Sequence, residues 1–295
     1  MCWSGEASAV LAAAGLAATA YLIKQGEKRE LYLPLFYFTM MELLQAVTYI
    51  YINQCSIPMN KVLTLLGYTH IAFQPVFINM LAMHFIPVEI KNKISPYVYG
   101  VCGIGAGLFL AKAYPVAGTP LCLFGTETFC GPFACSYKGS WHIAWQWPLN
   151  NLGSSFSWLE VPAKEYITGE EARKYMFKGN WEYIWQWLRD TVGARPLLLK
   201  DYHRYLIGLH AQAYMVCAFI LPLLYGSWRM ILVTILLGPV IAGFSTSNLN
   251  EFAAIWCLYS IALCCTIVKS PLRKHLYVTD WPLYPYIFSW RSKHK

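Results

Sequence analysis

Seven of the side chains that can bind a ligand or carry a proton lie within, or at the ends of, long apolar stretches of this sequence. Ionisable and amide groups are costly in a hydrocarbon environment, so they usually face the interior of a helix bundle and mark a binding site or a proton path. We therefore predict these side chains as ligand-binding residues. The set is Glu6, Glu42, Gln45, His70, Gln74, His210 and Glu251.

These residue types can coordinate a metal, form hydrogen bonds or transfer protons. Imidazole nitrogens and carboxylate oxygens are common metal ligands, and imidazole also holds haem iron. His70, His210 and Glu42 are therefore predicted as metal ligands, with a metal ion or haem as the predicted cofactor and a small ligand as the alternative. The sequence contains no His-Glu-x-x-His and no Gly-x-Ser-x-Gly segment. No catalytic residue is assigned, and whether the protein is an enzyme stays open.

Seven apolar stretches must position these residues. A transmembrane helix needs about 20 mostly apolar residues, and the chain is 57% hydrophobic and 13% charged. We predict an all-α polytopic membrane protein, a seven-transmembrane-helix bundle with a long outer loop that carries short helices. The stretches are 7–23, 31–52, 62–86, 95–114, 205–225, 229–247 and 250–268.

The Lys and Arg residues of the short loops orient the chain. If the N-terminus is extracytoplasmic, 12 of them fall on the cytoplasmic side and only Lys61 on the other. Cytoplasmic loops carry such an excess, so we predict an extracytoplasmic N-terminus and a cytoplasmic C-terminus. Because these charges stand beside helix ends, the net charge of +8 indicates a bilayer partner rather than nucleic acid.

This topology places the candidate residues at a similar depth. Helices 1, 3, 5 and 7 would all begin at the outer side, and the long outer loop with His142 could cover the group. We predict that His70 and His210 lie on facing helices and share a polar cavity with Glu42 or Glu251, because such groups avoid lipid.

The chain divides into four segments: 1–114 with helices 1 to 4, the outer loop 115–204, 205–268 with helices 5 to 7, and the cytoplasmic tail 269–295. Within the loop, Thr168 and Glu171 have the spacing of a capping box. Residues 181–192 have the apolar periodicity of an amphipathic helix, which could lie on the outer membrane surface.

Five cysteines fall on the predicted outer side, where one or two disulfides are expected if that compartment oxidises thiols. Spacing does not assign the pairing. A zinc site formed by Cys122, Cys130, Cys135 and His142 is the alternative, although its spacing matches no familiar zinc motif. The five are Cys2, Cys55, Cys122, Cys130 and Cys135.

Three segments resemble those of a family of uncharacterised polytopic membrane proteins from bacteria, algae and large DNA viruses, which begin Met-Cys-Phe/Trp-Ser-x-x-Ala-Ser. They are Met-Cys-Trp-Ser-Gly-Glu-Ala-Ser at 1–8, Met-Glu-Leu-Leu-Gln at 41–45 and Ile-Trp-Cys-Leu-Tyr-Ser at 255–260. Residues 135–137 with His142 are similar to a loop of the viral members. The resemblance implies an architecture without an activity. It directs attention to Cys2, Glu6, Glu42 and Cys257.

Two further functions fit the same sequence. The aromatic outer loop and the segment 281–286, rich in Trp, Tyr and Pro, could be contact surfaces of a non-catalytic subunit that binds other membrane subunits. A proton or ion pathway along Glu42, Gln74 and His84 is the other hypothesis.

Overall fold

A computed structural model describes residues 3–114, 122, 127–150, 209–246, 248–258, 261 and 270–289. These residues are mostly helical, as predicted, and we number the helices of the described part in chain order. They are α1 (Gly5–Lys24), α2 (Arg29–Ile50), α3 (Pro58–Ala82), α4 (Val88–Ala111), α5 (Leu209–Leu224), α6 (Trp228–Ser245), α7 (252–258), α8 (Arg273–Leu276) and α9 (Tyr284–Ser289).

Within these ranges, four helices are long and apolar enough to cross a membrane, namely α1, α2, α4 and α6. Helix α3 has 25 residues but buries Asn60, Thr64, Gln74 and Asn79 along its length. Helix α5 is apolar and shorter. The predicted stretch 250–268 is described only in part, as α7 and residue 261.

A β-hairpin follows α4, so the all-α prediction was wrong for this segment. Strand β1 (Cys135–Lys138) pairs antiparallel with β2 (Ile143–Gln146), and Cys135 stands opposite Gln146. A disulfide joins Cys135 to Cys55 in the loop after α2. The Asn60 side chain at the start of α3 donates to Ser136 O at 2.9 Å and accepts from Ser136 N–H at 2.9 Å. The hairpin is thereby fixed to the ends of α2 and α3.

We call the end of the molecule that carries this hairpin the hairpin end. The start of α1 belongs to it, because Trp3 N–H donates to Trp141 O at 2.8 Å. The segment between α6 and α7 belongs to it as well, since Trp145 N–H donates to Asn250 O at 2.9 Å. A second disulfide, Cys122–Cys130, lies in the connection after α4.

The loops at the opposite end, which we call the tail end, are held by ion pairs. The Arg273 guanidinium binds both Glu27 oxygens, at 3.0 and 3.1 Å, and joins the tail to the α1–α2 loop. Lys91 Nζ lies 2.9 Å from Glu30 Oε1 and joins the first turn of α4 to the first turn of α2. Consecutive connections therefore alternate between the two ends.

Helices α1 and α2 pack closely because small residues line their contact. Any Cβ at Gly15 would collide with the Thr39 side chain, so the two backbones approach at this point. Small residues allow such a close approach between apolar helices. The short helices predicted from Thr168 and at 181–192 lie outside the described residues, as does Cys2.

Candidate functional site

Glu42 and Gln45 form the centre of a buried polar site on α2. Both side chains are fully buried, and neither the two carboxylate oxygens of Glu42 nor the amide atoms of Gln45 have a hydrogen-bond partner in the described part of the chain. Residues three apart on a helix lie on the same face. Buried polar atoms almost always have partners, so four unpartnered atoms at one place indicate a ligand or ordered water.

Contacts from α1 and from the hairpin close this site into a ring. The buried Ser8 hydroxyl approaches the Glu42 carboxyl group without completing a hydrogen bond. Trp3 Nε1 donates to Ser8 Oγ at 2.7 Å, and the Trp3 indole stacks on the His142 ring with centroids 5.7 Å apart. We call this ring the Glu42 site. Its members are Trp3, Ser8, Glu42, Gln45, Tyr49 and His142.

His142 contributes a hydrogen-bond donor to the Glu42 site. Its Nδ1 accepts from Ile143 N–H at 2.8 Å, and Tyr49 OH lies 3.3 Å from the same nitrogen. The ring hydrogen must then be on Nε2, which is buried and has no partner. Burial lowers the pKa of His142 to about 3, so the ring is neutral at physiological pH and presents one N–H.

The Glu42 site therefore offers acceptors at Glu42, one donor at His142, and both kinds of atom at Gln45. An imidazole that carries its hydrogen on Nε2 has no lone pair there for a metal. The arrangement thus suits a molecule that donates hydrogen bonds at one end and accepts one at the other.

The buried neutral His142 should make stability depend on pH. The folded state holds its pKa at about 3, below the usual value of about 6.5 in an unfolded chain. The unfolded state therefore binds more protons between these values, and acidification favours unfolding. Between pH 8 and pH 5 we expect a loss of roughly 2 kcal/mol in unfolding free energy from this residue alone.

The comparison with His142→Asn isolates this contribution. The unfolding free energy of wild type should exceed that of the variant by roughly 2 kcal/mol less at pH 5 than at pH 8. Denaturant unfolding in detergent micelles measures both values. An unchanged difference at pH 8 and pH 5 would show that His142 titrates normally in the folded protein.

Glu251 anchors the hairpin rather than joining the ring. Its carboxylate accepts hydrogen bonds from the backbone N–H groups of Trp141 and His142, and from the Thr246 hydroxyl at 2.7 Å. A Cβ at Gly139 would collide with the same carboxylate, so glycine permits the approach. We call this arrangement the Glu251 clamp. Because both oxygens have partners, Glu251 positions His142 and is not free to bind a ligand.

His70 and Gln74 of α3 have partners outside the ring. His70 stacks on Tyr37 with centroids 3.9 Å apart, and its Nε2 donates to Tyr37 O at 2.8 Å. Gln74 accepts from Tyr214 OH at 2.8 Å and donates to Cys257 Sγ at 3.0 Å. Cys257 is within electrostatic range of Glu42, so Gln74 is a second neighbour of the site. The proton-pathway hypothesis stays a prediction.

His210 on α5 has a different set of neighbours. Its Nε2 donates to Thr128 O at 2.9 Å, and its Nδ1 lies 3.7 Å from Glu127 Oε2. Phe109 of α4 packs edge-on against its ring at 5.4 Å. His70 faces α2 and His210 faces α4 and the connection after it, and the two share no partner among these contacts.

The structure therefore does not bring His70, His210 and Glu42 together as one set of metal ligands. Across the described residues, only one group of three possible ligand atoms lies within 4.8 Å of one another, and it contains none of these residues. That group is Cys122, Glu127 and Cys130. Its two sulfurs form a disulfide, whereas a metal requires thiolates. The zinc alternative fails for the same reason, because Cys135 is also in a disulfide.

Glu6 is exposed in the first turn of α1 and does not enter the buried site. Ser8, two positions further along the same turn, is buried beside Glu42 of α2 instead. Sequence reasoning missed Trp3, Ser8 and Tyr49 as site residues. Tyr49 lies one turn from Gln45, which was the available signal, whereas the signal for Trp3 and Ser8 was their place in the 1–8 segment that carries the family resemblance.

A family described as one of unknown function (DUF5765) matches residues 6–178 and 175–277 of the chain. No curated protein and no solved structure matches the chain. The matched ranges contain Glu42, Gln45 and His142 and therefore most of the polar ring.

Proposed function

The chain belongs to this family of unknown function, which supplies no activity, and on the geometry of the Glu42 site we propose a multi-pass membrane protein that binds a small polar molecule between α1, α2 and the hairpin. The observation that carries this proposal is the set of unpartnered buried atoms on Glu42, Gln45 and His142. The segments that resemble the uncharacterised membrane proteins meet here, since they contain Trp3, Ser8, Glu42, Gln45 and Cys257.

We infer that the bundle crosses the membrane seven times with the hairpin end outside. Two observations support this topology: connections alternate between the ends, and both disulfides lie at the hairpin end. Disulfides persist in oxidising compartments. In intact cells, an impermeant maleimide should therefore label Cys55 once Cys135→Ser frees its thiol. Labelling that requires permeabilisation would reverse the orientation.

The ligand that fits best carries an amine at one end and an oxygen at the other. None of the ion pairs in the described ranges includes Glu42, and a buried carboxylate is stable only when it is neutralised. An ammonium group supplies that charge and donates to Glu42 and Gln45. The oxygen accepts from the His142 Nε2–H. A bare metal cation would be repelled by that N–H.

Ethanolamine is a suitable probe, and ethylene glycol is its neutral counterpart. A ligand present at a hundred times its Kd stabilises the folded state by about 2.7 kcal/mol, which thermal unfolding in micelles detects. We expect ethanolamine to raise the Tm of wild type and ethylene glycol to have little effect. The shift should vanish in Glu42→Gln, which keeps the size of the side chain and removes its charge.

Glu6→Gln is the matched control, because it makes the same change at an exposed position of α1. This variant should respond to ethanolamine as wild type does. An equal response to ethylene glycol would contradict the amine class, and an unaltered response of Glu42→Gln would place binding elsewhere.

A further inference from the structure

A second cluster of buried polar side chains lies where the connection after α4 meets the start of α5. The Lys112 ammonium is 3.3 Å from both carboxylate oxygens of Glu127, and His210 Nδ1 is 3.7 Å from Glu127 Oε2. The Cys122–Cys130 disulfide adjoins them, because a Glu127 oxygen and the two sulfurs all lie within 4.8 Å of one another. We call these five residues the Glu127 cluster. None of them belongs to the Glu42 site.

His210 and Glu127 face each other with two hydrogen-bond acceptors. His210 Nε2 donates to Thr128 O at 2.9 Å, so the neutral ring keeps a lone pair on Nδ1. The Lys112 ammonium already neutralises Glu127 and disfavours a second positive charge on the ring. Nδ1 is buried and has no hydrogen-bond partner in the described ranges. A lone pair that faces a carboxylate oxygen is stable only when a cation lies between them.

The spacing of these atoms suits a tetrahedral zinc ion. Zinc bonds of about 2.0–2.2 Å to nitrogen and oxygen place these two ligands roughly 3.4 Å apart, close to the 3.7 Å between His210 Nδ1 and Glu127 Oε2. Two thiolates at about 2.3 Å from the metal stand roughly 3.8 Å apart. The disulfide prevents this arrangement, because its sulfurs are bonded to each other and are not thiolates.

Opening the disulfide would change both the geometry and the charge of the cluster. The released sulfurs can move toward His210, which lies outside the group of three ligand atoms. Two thiolates and the Glu127 carboxylate exceed the single Lys112 ammonium by two negative charges, which a divalent cation cancels. Buried charges in proteins are paired or coordinate metals. Thiolate and imidazole ligands favour zinc over magnesium and calcium.

We propose that the Glu127 cluster is a zinc site in the reduced protein, with Cys122, Cys130, Glu127 and His210 as the ligands. A phosphine reductant gives two electrons to the disulfide and becomes the phosphine oxide with the oxygen of one water molecule. The two hydrogens of that water convert the sulfurs to thiols, and Zn²⁺ then displaces two protons. Disulfide and zinc are therefore alternative states of one site, and its redox state decides whether it binds the metal.

The zinc content of the purified protein tests this proposal. Wild type in micelles is reduced with tris(2-carboxyethyl)phosphine, freed of reductant without air, mixed with a small excess of Zn²⁺ and separated from free metal by gel filtration. Elemental analysis should find about one zinc ion per reduced chain, as for a single four-ligand site, and none in the oxidised protein. Mg²⁺ in place of Zn²⁺ should not be retained.

Two double variants identify the sulfurs that bind. Cys55→Ser, Cys135→Ser removes the other disulfide and should still retain zinc after reduction. Cys122→Ser, Cys130→Ser should retain none. Zinc that stays with this second variant at the wild-type level would be held by other thiols, which overturns the proposal.

The two remaining ligands are tested with every cysteine in place. Glu127→Gln and His210→Asn should each lower the zinc affinity of the reduced protein at least about tenfold, since even residues that only support metal ligands contribute that much. Glu6→Gln is the matched control at an exposed position and should bind as wild type does. Unchanged affinity in Glu127→Gln or His210→Asn would overturn the ligand set. Equal zinc content of oxidised and reduced wild type, or none in either, would overturn the site itself.

Discussion

Replacing Glu251 with leucine should lower the free energy of unfolding by roughly 3 kcal/mol or more, because three neutral donors lose the carboxylate that accepts from them. Without the carboxylate, the N–H groups of Trp141 and His142 and the Thr246 hydroxyl stay buried and lose their acceptor. Each unsatisfied donor costs about 1–3 kcal/mol. Denaturant unfolding in mixed micelles measures the loss.

The same substitution at Glu42 is the matched control, and its expected effect is different. The oxygens of Glu42 complete no hydrogen bond in the described structure, so Glu42→Leu breaks none. Even buried ion pairs can often be replaced by apolar residues of similar volume without loss of stability, so we expect little loss here. Comparable losses in Glu42→Leu and Glu251→Leu would mean that Glu42 is bonded within the protein, which contradicts the assignment of the Glu42 site.

Removing the Cys55–Cys135 disulfide should have an effect of similar size. The bond closes a loop with a sequence separation of 80 residues, for which the chain-entropy relation gives about 4.5 kcal/mol. The double variant Cys55→Ser, Cys135→Ser should therefore unfold at much lower denaturant concentration, and the hairpin should become accessible to proteases. Unfolding curves and limited proteolysis provide the measurements.

The second disulfide serves as the comparison. Cys122–Cys130 has a separation of only 8 residues, and the same relation predicts about 2.5 kcal/mol for its removal. The second double variant is Cys122→Ser, Cys130→Ser. If both double variants lose equal stability, loop closure is not the main contribution of the Cys55–Cys135 disulfide to stability.

The sequence was sufficient to locate the first four helices. The predicted stretches 7–23 and 31–52 agree with α1 and α2 within a few residues, because runs of apolar residues set helix length in a hydrocarbon environment. It was also sufficient to identify Glu42 and Gln45 as buried, since the stretch around them is apolar.

The sequence was not sufficient to predict which residues face one another. His70 and His210 were grouped by depth, but depth does not fix the rotation of a helix about its axis, and the two rings point to different neighbours. The role of Glu251 depends on backbone N–H groups of the hairpin, which no side-chain pattern reveals. His142 was predicted only as part of the outer loop that covers the site, whereas its ring stacks on Trp3 and lies 3.3 Å from Tyr49 OH.

The Glu251 clamp has a consequence for the order in which the protein is made. The ligand groups of α2 emerge from the ribosome early, and the hairpin with His142 emerges after about half of the chain. The carboxylate that fixes the hairpin is in the last fifth of the sequence. A chain stalled or truncated before residue 251 would thus carry every group of the ring but lack the carboxylate that holds the Trp141 and His142 backbone. The complete arrangement around His142 can therefore form only after residue 251 has been synthesised.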